Sequence, residues 1–178
     1  MAFSADVQFD SISGSLSLDN GIFKGLHRQV WCLRDERRSG EHGGSFESGS
    51  WVPRVFNTLE GVAGMGVGRK SDTCIQIDPG TYVVDGQCPA LGVGFHQVRV
   101  QNLTDGITEA FGTTACSHSD EQQTVSTVSF QLTLVGPSKE YQIQHRCSGG
   151  RPIDGFGQAA GFPDSLEVYS WLKIQKVS

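Results

Sequence analysis

Two histidines and two cysteines are the first residues of this 178-residue chain whose types could do chemistry. His96 and His145 fall in separate stretches of alternating residues. If those stretches lie side by side, the imidazoles together with Cys88 or Cys147 offer the nitrogen and sulfur donors that suit a borderline metal. The five cysteines, Cys32, Cys74, Cys88, Cys116 and Cys147, contain no C-x-x-C pair, so no ligand spacing supports that reading. A histidine on an alternating strand more commonly serves as a hydrogen-bonded structural group. No metal and no cofactor is therefore expected, and because Cys32, Cys88 and Cys147 sit inside or at the end of predicted strands, free thiols that behave as small buried hydrophobes are expected.

Other constellations are weaker still. The glycine-rich run from Gly61 to Gly68 leads into Arg69-Lys70-Ser71. A phosphate loop needs Gly-Lys-Ser/Thr opening a helix, whereas here Arg69 intervenes and a strand follows. Cys116-Ser117-His118-Ser119-Asp120-Glu121 crowds a thiol, hydroxyls, an imidazole and acids into six positions. Catalytic triads are assembled from distant segments by the fold, so this crowding reads as a solvated loop. Asp120, Glu121, Glu140 and Asp154 supply carboxylates of the kind that cleave glycosidic bonds, but that chemistry depends on a separation the sequence does not give. A non-catalytic chain is expected, with no catalytic residue assigned.

The elements that would position these groups are strands. Thr81 to Asp85, Gly94 to Gln101, Thr124 to Val135, Glu140 to His145 and Leu166 to Val177 alternate apolar with polar residues. A spacing of two places one set on a single face of a pleated strand and cannot form a helical stripe. Pro79-Gly80 and Gly136-Pro137 punctuate these runs. About eight strands with turns between them predict an all-β, antiparallel two-sheet sandwich of jelly-roll type over residues 29–178. In the last run, Val168, Ser170, Leu172 and Ile174 should oppose Tyr169, Trp171, Lys173 and Gln175. Arg37 to Ser50 reads as a polar loop, and Trp51 to Thr58 as one strand in which Pro53 dictates an edge or a bulge.

Residues 1–28 form a separate arm. Asp19-Asn20-Gly21 between Ser15-Leu16-Ser17-Leu18 and Ile22-Phe23 predicts an N-terminal β-hairpin. The start lacks the basic and apolar regions of a secretion signal, and no run approaches the length of a membrane span, so no membrane insertion is expected. With 14 Lys+Arg against 19 Asp+Glu, the net charge is −5. No clustered basic patch neutralises phosphates, so nucleic-acid binding is not expected.

Taken in order, Trp51-x-x-Arg54-x-x-Asn57-Thr58, Ile77-Asp78-Pro79-Gly80-Thr81-Tyr82, Pro89-Ala90, His96 to Gly106, Gly112-Thr113-Thr114, Tyr141 to His145, Gly155-Phe156-Gly157 and Glu167-Val168-Tyr169-Ser170-x-x-Lys173-Ile174 resemble the jelly-roll domain of many tailed-bacteriophage virion proteins. That domain is similar to the C1q/tumour-necrosis-factor fold, and the resemblance covers about residues 29–177. It implies a homotrimeric fibre, spike or decoration protein located in the virion and assembled in the host bacterial cytoplasm. It further implies display on a particle, with contact to host-surface glycan or protein as one role and carbohydrate-binding attachment or polysaccharide cleavage as rivals. Residues 1–28 have no counterpart in it; their docking on other virion proteins is an expectation from position and pattern. The receptor-contact loops expected on this reading carry Arg37, His42 and Phe46, then Asp105, His118, Arg151 and Phe156. Tyr141, Tyr169 and Trp171 are the aromatics expected near the threefold axis, although filling the sandwich core would suit aromatic rings equally well.

Overall fold

The computed structural model describes residues 29–62, 66–119 and 121–177, together with the backbone of strands at 7–10, 15–18 and 21–23. No helix forms among the described residues. In the arm, β1 (Val7–Asp10), β2 (Ser15–Leu18) and β3 (Gly21–Phe23) pair antiparallel in that order. The expected β2–β3 hairpin is thus present, with its turn residues 19 and 20 outside the described residues.

Two antiparallel sheets make the sandwich. One runs β13 (Gln123–Leu134), β9 (Gly80–Leu91), β15 (Leu166–Lys176), β4 (Val30–Arg38) and β6 (Thr58–Glu60). The other runs β11 (Ile107–Phe111), β10 (Gly94–Asn102), β14 (Lys139–Cys147), β8 (Cys74–Ile77) and β7 (Val67–Ser71), with β12 (Ala115–Ser117) beside β10 and β5 (Val52–Pro53) beside β14. The period of two becomes the core: Leu33, Tyr82, Val84, Leu132 and Ile174 meet Ile75, Val98, Val100 and Ile143 between the sheets. Each fully buried Leu, Ile or Val contributes about 1.5–3 kcal/mol by leaving water.

Four expectations are corrected. The segment read as one strand from Trp51 to Thr58 keeps its inward parity, with Arg54 and Phe56 both buried. Its pairing changes midway, however: Val52 and Pro53 pair with β14, whereas Thr58 to Glu60 pair with β4, so the backbone crosses from one sheet to the other. The loop read as wholly polar is also partly core. β4 extends to Arg38, and Phe46 is 0% exposed, packed with Ala90, Val93 and Cys147. Tyr141 and Tyr169 point inward, 1% and 4% exposed, leaving neither ring on an outer face. Finally, the strict alternation expected along β15 is broken by a bulge between Val168 and Trp171. Tyr169 and Ser170 are both buried there, so Val168 shares the outward face with Trp171.

Candidate functional site

The register of β10 and β14 pairs Val98 with His145 and His96 with Cys147, which brings the two imidazoles together inside the sandwich. His96 Nδ1 lies 2.9 Å from His145 Nε2, and His96 Nε2 lies 2.7 Å from Thr124 Oγ1. His145 Nδ1 has no hydrogen-bond partner among the described residues. A bare lone pair is less costly to orphan than an N–H. The consistent assignment therefore has His145 Nε2–H donating to His96, and His96 Nε2–H donating to Thr124. No group of three or more metal-ligating side chains occurs among the described residues.

Behind the pair lies Arg54, fully buried. Its Nε and Nη2 donate to Ser170 Oγ at 2.9 and 2.6 Å, and further bonds of 3.4 Å reach the carbonyls of Pro89 and Phe156. The guanidinium stacks 3.8 Å from the Phe156 ring centre. All these acceptors are neutral. Burial, and then this cation, push the His96 pKa down to about 4, and the same causes followed by His96 itself lower His145. The cluster is a closed structural unit of neutral imidazoles around one buried cation, holding the end of the sandwich.

The same end gathers most of the expected contact loops. Phe46 and Arg151 exchange two backbone hydrogen bonds, Phe156 stacks on Phe46 at 4.5 Å, and the Ala159 N–H donates to His42 Nδ1. Arg37 pairs with Asp35 at the end of β4, and His118 meets Phe95 edge-on at 5.4 Å. Asp105 lies at the opposite end, where Lys139 and the Asn102 amide hold its carboxyl below the usual range. Phe46 is core, so the surface offered by these loops does not include its ring. The carboxylates do not converge. Glu140 pairs with Lys70 at the start of β14, whereas Asp154 pairs with Arg151 beyond its end; Asp120 lies outside the described residues and Glu121 is exposed. Lys70 and Arg69 are on a strand and are bound by Glu140 and Asp72, unlike a phosphate loop.

A surface not singled out in the sequence lies on the outer face of the β10–β14 sheet. Gln97 is opposite Arg146, Arg99 opposite Gln144, and Gln101 opposite Gln142. Trp51 lies across this face: its ring centre is 4.4 Å from the Arg99 guanidinium and 6.1 Å from that of Phe111. Arg99 Nε donates to Gln144 Oε1 at 2.8 Å, and Gln97 Nε2 to the Gly112 carbonyl at 2.8 Å. Toward the loop end the face opens into a cavity of about 490 Å³. Phe95, 59% exposed, and Trp51 line it with Gln97, Arg146, Ser48 and Thr114. The exposed Arg146 side chain has no hydrogen-bond or ion-pair partner among the described residues. The signal was present in sequence as the polar register Phe95, Gln97, Arg99, Gln101, but only the pairing of β5 and β14 brings Trp51 to it.

No protein-family model matches the chain, and no curated protein matches it. Among solved structures it is similar to the globular domain of zebrafish complement 1qA protein, with a TM-score of 0.52 and 12% identity, covering 85% of this chain and 98% of that one. It is likewise similar to Eiger TNF from S. frugiperda, with a TM-score of 0.50 and 12% identity, covering 85% and 93%. Residues of the sandwich therefore adopt the C1q/TNF-like jelly-roll fold.

Proposed function

We propose that this chain is a structural component of a tailed-bacteriophage or phage-like virion: a homotrimeric, non-catalytic jelly roll displayed on the particle. Residues 1–28 dock it on other virion proteins, and the loop end faces the host surface. The ordered motifs from Trp51 to Ile174 support the phage reading, and the C1q/TNF-like fold supports assembly in threes. The observation that carries self-association is the outer face of the five-stranded sheet. There Trp171 sits half-buried beside Gln87, and Val168, Leu166 and Val125 are exposed on the same side. An apolar group of this kind, on a face that otherwise presents Thr127, Ser129, Gln131 and Thr133 and the charged Arg34, Glu36, Asp85 and Lys173, marks a surface that meets another protein. A second copy covers it and shields the sheet edges. Polysaccharide cleavage is not favoured, because Glu140 and Asp154 are spent in ion pairs at opposite ends of β14.

Labelled full-length chain and a variant lacking residues 1–28 test the docking. Both should fold, and only the full chain should sediment with particles. Equal incorporation of the truncated chain would refute docking through the arm.

A further inference from the structure

We propose that the cavity between Phe95 and Trp51 is a binding site for an acidic saccharide, with Arg146 holding the sugar carboxylate. Chemistry at this place narrows the ligand. Among the described residues Arg146 is the only formally charged side chain lining the cavity, in a chain of net charge −5, and no described side chain neutralises it. Its planar fork suits a carboxylate. The aromatic surfaces of Phe95 and Trp51 offer apolar area to the C–H face of a pyranose ring, while Gln97, Ser48 and Thr114 can bond its hydroxyls. Gln97 gives one amide N–H to the Gly112 carbonyl, which leaves its second N–H and its amide oxygen for a sugar hydroxyl.

A peptide fits less well. Peptide capture by strand addition needs a free sheet edge. Here β14 lies between β10 and β5, and β10 lies between β14 and β12, so the backbone groups are already engaged. The ligand must be read by side chains from above the sheet. A volume of about 490 Å³ is within the range of small-ligand sites. The neighbouring hollow around His42 and Arg151 lacks this property, because Arg151 is matched there by Asp154.

The site rests on the display reading for its role only, and its test is separate. The full chain is titrated with cellobiouronate, digalacturonate and sialyllactose, each beside its neutral counterpart (cellobiose, galactobiose and lactose) and beside the acidic peptide Ala-Glu-Ala. Amide shifts are followed by NMR. At least one acidic sugar should move the amides of Phe95 to Gln97 and Arg146 to Ser148, and should bind about tenfold or more tightly than its counterpart, as expected for one charge-assisted pair. Arg146→Gln should remove that preference, and Phe95→Ala should weaken both members of the pair, with melting temperature and oligomeric mass unchanged. Silence of all three acidic sugars, equal binding of neutral sugars, equal binding of the peptide, or an unaffected Arg146→Gln would each overturn the site. A trimer that ignores these sugars removes the site and leaves display standing; a monomer that binds them does the reverse.

Discussion

Acid should loosen this fold between pH 7 and pH 5, and the buried histidine pair sets the size of the effect. His96 has a pKa lowered from 6.5 to about 4, first by burial and then by Arg54. A histidine with a depressed folded pKa binds its proton more readily in the unfolded chain, so stability is complete above pH 6.5 and is lost as pH falls toward 4. At pH 5 the unfolded side chain lies about 1.5 units below its pKa while the folded one is still neutral. At about 1.36 kcal/mol per unit, His96 alone then costs about 2 kcal/mol relative to pH 7. His145 shifts in the same direction and adds to the loss. The groups facing the pair are Arg54, Thr124, Cys147 and the rings of Phe46 and Phe156, none of which is a carboxylate able to welcome the proton. Asp105, Glu140 and Asp154 are held below their ordinary carboxylate values by Lys139, Lys70 and Arg151, and Glu167 by backbone N–H groups, so none of them is raised toward the histidine range. The assay is urea unfolding at pH 7, 6 and 5, on the wild type and on His96→Gln, which keeps hydrogen-bonding groups but has no titration there. Wild-type stability should fall by about 2 kcal/mol or more across the window, with a shallower slope in the variant. Wild-type stability that is flat from pH 7 to 5 would refute the reasoning.

Further outcomes follow from the same end of the sandwich. Arg54→Met should flatten the acid limb by less than half, because the cation is the second cause of the histidine shifts after burial; a limb unchanged in slope in pH-dependent unfolding would show that the charge does not reach the pair. Phe46→Ala should cost about 3–5 kcal/mol in chemical denaturation, since its ring is fully buried; a cost below about 1 kcal/mol would return Phe46 to the surface loops. Gly112→Ala places a methyl group 2.5 Å from the Thr127 carbonyl and against Val98, and should lower stability by about 1–3 kcal/mol in thermal melts.

How far the sequence revealed this depended on whether information was local. β9, β10, β13 and β14 were legible because alternation acts within a strand and needs no partner. The bulge in β15 was not, because two consecutive inward residues, Tyr169 and Ser170, are required by what they meet: the Tyr169 hydroxyl donates to the Glu41 carbonyl, and Ser170 receives Arg54. Phe46 was hidden in a glycine- and serine-rich loop because its burial depends on Ala90, Val93 and Phe156, all distant in sequence. The meeting of His96 and His145 was conditional on adjacent strands, and the β10–β14 register supplied that condition. The Trp51–Phe95 cavity was illegible for the same reason: it draws on two strands, β10 and β14, and three loop segments whose order only topology sets.

Sedimentation equilibrium of the purified full chain at micromolar concentration tests most directly the claim that this jelly roll works as a self-assembled unit. The account predicts a single species of three 19.2 kDa chains, reduced to one chain by Trp171→Glu, which places a charge on the proposed contact face. A wild-type protein that sediments as one 19.2 kDa chain would contradict it.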